Sequence, residues 1–365
     1  MGVGASMKEV EAYCAGDAVG DGKAFREKYD FVESEERKIG EGDAGTVYEA
    51  RRGDEGFAVK VIDTTDMDPF AFQELRNEVH LLGAVDHANV VKLHDYYEDC
   101  AERKAFVVTD LLLGGEVLHR IAEMESYSEV DARRVVATVV DVLIHLHGVG
   151  VAHRDVQLEN LVLRAAGDDA ALKLCDFGFA CHASNADLLK FRCGSPHYMA
   201  PELARREPPY GTAVDVWAVG VVTFILLAGY PPFDGDYEDE VLQSVQAGVV
   251  DFADAEFPDE VSEDARDFIV KCLAPDPAAR LTAGEAILHP WFLKGSHEFA
   301  SAHLARTLAG FEKHKAKLTG KRRLAASVAK LKTTLRVSRP SFADLAAPTM
   351  TPEMATSASA PTIAA

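Results

Sequence analysis

Three oxygen-bearing side chains near the middle of the chain are spaced as if for one task. Asp155, Asn160 and Asp176 follow one another at intervals of five and sixteen residues. Carboxylate and amide oxygens accept protons and ligate hard cations. Upstream, Gly40-Glu41-Gly42-Asp43-Ala44-Gly45-Thr46-Val47 reads Gly-x-Gly-x-x-Gly-x-Val. Glycines there let backbone amides approach phosphate closely. Lys60 follows within an apolar run. An unpaired lysine among apolar neighbours is expensive to bury, so it needs anions, phosphate or a carboxylate. Glu74 and Glu78 are the candidates on the next segment, and Leu82 one turn beyond favours Glu78. Glu74 then reads as a solvated face residue. Such a set suits the handling of a phosphate.

The elements that position these residues separate the alternatives. A glycine-rich stretch alone is also a surface turn, and in a dinucleotide fold it joins a strand to a helix. Here it runs into another strand, as in a lid over phosphates. Thr46–Ala50 and Phe57–Ile62 flank a polar turn, Arg51–Gly56, which signals a hairpin. Side chains alternate along a strand, so Ala58, Lys60 and Ile62 share one face. Phe70–Ala84 has helical period, 105–113 reads as a strand, and beyond Gly115 the pattern is mainly helical. Strands first and helices after argue for an α+β fold of two segregated lobes rather than alternating βαβ units.

The chain has 365 residues, 48% hydrophobic and 27% charged, as in a packed globular protein. The longest apolar run, Val216–Gly229, is too short to span a bilayer and reads as a buried helix. Six cysteines include no Cys-x-x-Cys pair, so neither a disulfide framework nor structural zinc is expected, and a reducing, cytoplasmic setting fits. A net charge of −21 argues against nucleic acid as a partner. That charge is uneven: Leu304–Arg339 holds eleven Lys/Arg and one acid, Glu312. Residues 1–30 read as a flexible Gly/Ala-rich start without an apolar signal core. Residues 31–292 form the patterned body, 293–339 a basic amphipathic segment, and 340–365 a disordered Ala/Ser/Thr/Pro tail.

His153-Arg154-Asp155-Val156-Gln157-Leu158-Glu159-Asn160 precedes Asp176-Phe177-Gly178. Ala200-Pro201-Glu202, Asp215-Val216-Trp217, Arg280 and His289-Pro290-Trp291 follow in order. This set resembles the eukaryotic protein kinase family, serine/threonine type, over about residues 31–292. The stretch Leu188–Tyr198 resembles the calcium/calmodulin-dependent group, with Ser195 placed near the catalytic base. The resemblance implies a bilobal fold with a small β-rich N-lobe and a larger helical C-lobe, and ATP and Mg²⁺ at the cleft. It makes Asp155 the base, Lys60 the phosphate-orienting lysine and Glu78 its partner. Asn160 and Asp176 become the metal ligands. ATP would lie against Ile39, Gly40, Gly42, Gly45, Val47, Ala58 and Val162. Thr109 would be the gatekeeper, Asp110 and Leu112 would meet the purine edge, and Glu116 the ribose. Glu116 and Glu159 point to protein substrates with upstream arginine. His153 and Phe177 resemble members of a hydrophobic spine, and Glu202–Arg280 a buried ion pair.

Two positions depart from the family pattern. Gln157 stands where most serine/threonine kinases have lysine, so a hydrogen bond replaces a charge near the transferring phosphoryl group. Loss of one such contact costs on the order of 10²–10³ in rate. A slow enzyme follows, or else a pseudokinase scaffold; a small-molecule phosphotransferase fits the Ser195–Tyr198 stretch less well. Phe191 stands where relatives carry a phosphorylated threonine, leaving Ser184 as the alternative and placing control elsewhere. Phe311, Leu318 and Leu324 fall at relative positions 1, 8 and 14, as do Leu324, Leu331 and Val337. With basic residues between them, 304–339 resembles an autoinhibitory, calmodulin-binding segment; the bland alternative is a basic helix lying on the acidic body. Met1-Gly2-Val3-Gly4-Ala5-Ser6 matches the N-myristoylation pattern. One acyl chain anchors only marginally, so membrane contact would be reversible and need the basic tail or Cys14 as a second signal.

Overall fold

Along Phe57–Val61, buried and half-exposed side chains alternate, and this alternation builds the first layer. The computed structural model describes residues 20–42, 45–124, 127–165, 172–183, 193–205, 210–253, 257–294, 304 and 307–311. All of these lie in one unit, Val3–Thr319. Six strands form the N-lobe sheet: β1 (Gly20–Asp21), β2 (Lys38–Gly42), β3 (Gly45–Arg52), β4 (Glu55–Asp63), β5 (Leu93–Asp99) and β6 (Lys104–Asp110). Their spatial order is β1-β5-β6-β4-β3-β2. The expected hairpin is β3–β4, with a tighter turn than the polar residues suggest, since Arg52 already pairs with Glu55. Gly53 sits there at φ 61, a conformation glycine adopts without a Cβ penalty.

One face of this sheet buries Ala50, Phe57, Val59, Val61, Phe106 and Val108 in a single cluster. That cluster is closed by Phe25 and Tyr29, which corrects the reading of 1–30 as flexible throughout. Residues Gly22–Lys28 form helix α1, N-capped by Asp21, and Phe25 stacks on Phe106 with centroids 4.4 Å apart. Burying a phenylalanine contributes about 1.5–3 kcal/mol, enough to order a short segment. Residues 1–19 lie outside the described residues.

The other face carries α2 (Pro69–Ala84), N-capped by Asp68 with proline at its first turn. Leu75 and Val79 of α2 pack with Ile62 and Val107. The last strand ends at Asp110, not at 113 as the apolar run Leu111-Leu112-Leu113 suggests. The ladder stops because the chain changes partner: the N–H groups of Leu113 and Gly114 donate to Arg164 and Leu163 in the second lobe.

That second lobe is helical: α3 (Val117–Ala122), α4 (Glu129–Gly148), α5 (Pro201–Arg205), α6 (Ala213–Ala228), α7 (Glu238–Ala247), α8 (Glu263–Cys272), α9 (Ala283–Ala286) and α10 (Pro290–Leu293). Helix α6 is the apolar run read from sequence, and Val214–Ala228 are all buried. It ends at Gly229, in the left-handed region at φ 84. Gly220 lets α8 approach closely, since a Cβ there would lie 2.8 Å from Cys272 Cβ. No helix among the described residues is long and apolar enough to cross a membrane.

Packing continues past residue 292. Leu304, Thr307 and Phe311 are buried, and Phe311 meets Tyr127 edge-on with centroids 6.0 Å apart. Cys175, Cys181, Cys193 and Cys272 are free. Cys100 is disulfide-bonded.

Candidate active site

The segment holding Asp155 is fixed from below by the first turn of α6. Asp215 accepts hydrogen bonds from the backbone N–H of His153 (2.9 Å) and Arg154 (2.7 Å) and from His147 Nε2 (2.9 Å). Arg154 has φ 67, an uncommon conformation for a side chain of its size, and its N–H bond to Asp215 helps to hold it there. The Arg154 guanidinium donates to the Phe179 carbonyl (2.5 Å) and the Tyr210 hydroxyl (2.9 Å). His153 is buried, with its ring edge-on to Phe177 at 4.8 Å. Sequence patterning does not announce these parts for Asp215, His147 and Tyr210. The local signals for Asp215 are its place in the Asp215-Val216-Trp217 match and at the start of an unusually apolar helix.

Asp155 is consequently presented in one orientation. Its Oδ2 accepts from Gln157 Nε2 (2.8 Å) and Asn160 Nδ2 (2.9 Å), and its Oδ1 from the Ser195 N–H (3.3 Å). Burial, opposed by the Asn160 hydrogen bond and aided by the charge of Asp176, pushes its pKa up to about 6. Ser195 Oγ donates to Gln157 Oε1 at 2.6 Å. Gln157 thus bridges Asp155 to Ser195, which bears on the expectation that Ser195 lies near the base. Gly194 makes this approach feasible at φ 85, since a Cβ there would lie 2.6 Å from the Arg154 carbonyl oxygen. Tyr198 donates to Glu159 at 3.2 Å. Residues 184–192, with Ser184 and Phe191, lie outside the described residues.

Across the cleft, Lys60 on β4 pairs with Val47 on β3 and Val107 on β6. Its Nζ lies 3.8 Å from Glu78 Oε1 on α2. Burial raises the Glu78 pKa, Lys60 opposes this, and the charge of Asp176 adds to it. Glu78 also lies near the Asp176-Phe177-Gly178 turn, because a Cβ built on Gly178 would be 3.6 Å from Glu78 Oε2. Asp176 has φ 62 and accepts from the Gly178 N–H at 3.1 Å. The charge of Asp176 thus acts on both Glu78 and Asp155, which links the Lys60–Glu78 pair to the Asp155 segment.

The remaining expected residues lie on the sheet strands, on the crossing between the lobes and on the short strand Leu161–Leu163. Ala58 pairs with Thr109 across β4 and β6. Gly40 and Gly42 lie on β2 and Gly45 begins β3, while residues 43–44 are outside the described set. Ile39 is 43% exposed on β2. Asp110 and Leu112 form the crossing between lobes. The Asp110 carboxylate is engaged by His94 (2.8 Å) and Lys173 (3.0 Å). Burial opposes but these partners prevail, holding the Asp110 pKa below the usual range. Glu116 bridges by backbone pairing to Val162, on the short strand Leu161–Leu163.

The donor set suits a hard cation. Asn160 Nδ2 donates to the Asp155 carbonyl (2.9 Å) and to Asp155 Oδ2, so its amide oxygen is the atom that could ligate a cation. Asp176 supplies a carboxylate. Mg²⁺ typically takes one or two such protein ligands and completes its shell with phosphates and water. Among the described residues no cluster of three or more His, Cys, Asp or Glu that could hold a metal exists.

Among solved structures, a twitchin kinase region from C. elegans is similar to this chain, with TM-score 0.72 and 27% identity. The match covers 83% of this chain and 52% of that one, so the chain spans about half of that length. The family described as protein kinase domain matches residues 34–292. That span holds strands β2 to β6, helices α2 to α9 with most of α10, and every candidate site residue described above, and with it the chain belongs to the protein kinase domain family.

Proposed function

We propose that this protein kinase passes the γ-phosphate of Mg-ATP to serine or threonine side chains, in the manner of the calcium/calmodulin-dependent group. The observation that carries the reading is the buried Asp155 carboxylate, held by neutral donors and within the field of Asp176. Its Oδ2 is occupied by Gln157 and Asn160, and Oδ1 is directed to the Ser195 backbone, where a peptide would dock. In the reaction the substrate oxygen bonds to the γ-phosphorus, the bond from that phosphorus to the β-phosphate bridging oxygen breaks, the hydroxyl proton passes to Asp155, and ADP leaves. Lys60, held by Glu78, orients the α- and β-phosphates. Asn160 and Asp176 hold Mg²⁺, which when bound supplies charge neutralisation. Ile39, Val47, Ala58 and Val162 enclose the purine, Thr109 is the gatekeeper, and the backbones of Asp110 and Leu112 read its edge.

Radiolabel transfer to a mixed peptide library tests this, followed by identification of the labelled amino acid. Label on serine and threonine, abolished by Asp155→Asn, is expected. Label confined to tyrosine would remove the serine/threonine reading. Gln157 is the observation that favours a second reading, a nucleotide-binding pseudokinase scaffold. Binding of Mg-ATP with no more transfer than Asp155→Asn would establish it.

We place regulation in residues 304–339. Phe311, the first anchor of the calmodulin-like spacing, is buried against Tyr127. Calmodulin could take it only by withdrawing it from the lobe. Leu318, Leu324, Leu331 and Val337 lie outside the described residues. Activity with and without Ca²⁺–calmodulin, in the full chain and in one ending near Phe292, tests this; equal activity in all four samples removes it. Acylation at Gly2, with reversible membrane contact from a cytoplasmic pool, belongs to the same proposal and is read by mass spectrometry of the amino terminus.

A further inference from the structure

Helix α2 matters to the cleft because Glu78 rides on it. Its buried side chains, Phe72, Leu75, Val79 and Leu82, form one apolar stripe. Such a stripe decides which face is buried, but hydrophobic contact is non-directional and restrains rotation about the helix axis weakly. At about 100° per residue, Arg76 and Glu78 fall on opposite flanks of the stripe. Glu78 faces the cleft, 3.8 Å from Lys60. Arg76 reaches the other way, to Glu98 on β5.

The second contact is the tighter one. Arg76 Nε donates to Glu98 Oε1 at 2.8 Å, and its terminal nitrogen donates to Glu98 Oε2 at 2.7 Å. This fork-to-carboxylate geometry fixes orientation as well as distance. The Glu98 side chain is 3% exposed, and Arg76 also lies over the Phe72 ring at 5.2 Å. Burial first, and then the charge of Glu98, raises the pKa of the neighbouring Tyr96 phenol. Glu98 is itself fixed in the sheet, in register with Ala105 on β6 and Asp21 on β1.

We propose that the Arg76–Glu98 ion pair is a positioning device that sets the rotation of α2 and so keeps Glu78 within reach of Lys60. The proposal rests on the roles assigned above to Lys60 and Glu78. Neither Arg76 nor Glu98 touches substrate; both act through Glu78.

The test is a double-mutant cycle on the full chain, read by kcat/KM for peptide transfer and by the Mg-ATP dissociation constant. Arg76→Met is expected to lower kcat/KM by about tenfold to a hundredfold, the scale of an ångström-level misplacement, and to weaken Mg-ATP. In a Glu78→Gln background the same substitution is expected to change either quantity less than about twofold, because the group it positions is gone. The exchanged pair Arg76→Glu/Glu98→Arg is expected to recover most of the loss. Should Arg76→Met fail to fold, Arg76→Lys keeps the charge, loses the fork, and enters the same cycle. A folded Arg76 variant with wild-type kcat/KM and Mg-ATP affinity overturns the proposal. So do losses from the Arg76 and Glu78 substitutions that simply multiply. A wild-type chain that binds Mg-ATP without transfer defeats the catalytic reading alone, and the dissociation constants then decide the role of the pair.

Discussion

Replacing Arg280 by methionine removes the cation that holds α5 to the base of the second lobe. The Arg280 guanidinium donates to Glu202 Oε1 (2.8 Å) and Oε2 (3.1 Å) and to the carbonyls of Ala213 (2.8 Å) and Ala274 (3.1 Å). It lies over the Trp217 ring at 5.2 Å, and its side chain is fully buried. Methionine restores much of the packing and none of the hydrogen bonds, and it leaves the Glu202 carboxylate buried without its partner. Breaking a buried pair from one side costs about 3–5 kcal/mol. At roughly 2–4 °C per kcal/mol for domains of this order of size, the melting temperature should fall by roughly 6–20 °C. Differential scanning calorimetry on the full chain measures this. The double variant Glu202→Leu/Arg280→Met removes both charges, so it should lose less than the sum of the single changes, with a coupling of at least about 1.5 kcal/mol. A loss below about 1 kcal/mol for Arg280→Met, or strictly additive losses, would refute the assignment of a stabilising buried pair.

Three further outcomes follow from the same geometry. Gln157→Lys should raise kcat by at least about tenfold, because it places a cation where only an amide now meets the transferring group; unchanged or lower kcat in a folded variant counts against that explanation. Burial tends to raise the Asp215 pKa, but hydrogen bonds from His147 and the Arg154 N–H hold it below the ordinary value. Its contribution to stability is therefore present above the unfolded pKa of about 3.9 and is lost as pH falls through and below it. Chemical denaturation from about pH 6 down to about pH 3 should show a steeper acid loss for wild type than for Asp215→Asn, and parallel curves would contradict this. Phe25→Ala should cost about 3–5 kcal/mol, read by urea denaturation, because it empties the centre of the cluster on the outer face of the sheet; a loss under about 1 kcal/mol would mean that α1 does not close that face.

The cleft is legible in the sequence because its residues are constrained one by one by their chemistry and lie in short local runs. Gly40-x-Gly42-x-x-Gly45, His153 to Asn160, and Asp176-Phe177-Gly178 can be read without a fold. So can the face shared by Ala58 and Lys60, since strand alternation is a local rule. Contacts between distant parts of the chain are less legible. Phe25 looks like part of a weakly patterned start because its partners, Phe106 and Tyr97, are far along the chain, while Gly20 and Gly22, which look like loop composition, leave room for Tyr97 and Asp99. The end of β6 is hidden for a related reason. Leu111-Leu112-Leu113 keeps the apolar pattern of a strand, but its backbone turns to Leu163 and Arg164 in the other lobe. Arg76–Glu98 and His147–Asp215 likewise join separate elements, and no local period announces either pair.

The Asp155 carboxylate carries the proposed chemistry. Single-turnover transfer from Mg-ATP to a serine peptide, for wild type and Asp155→Asn with Mg-ATP binding measured on both, tests it most directly. The predicted result is equal nucleotide binding with transfer at least about a hundredfold slower in Asp155→Asn, as for loss of a general base. Equal transfer rates in the two proteins would contradict it.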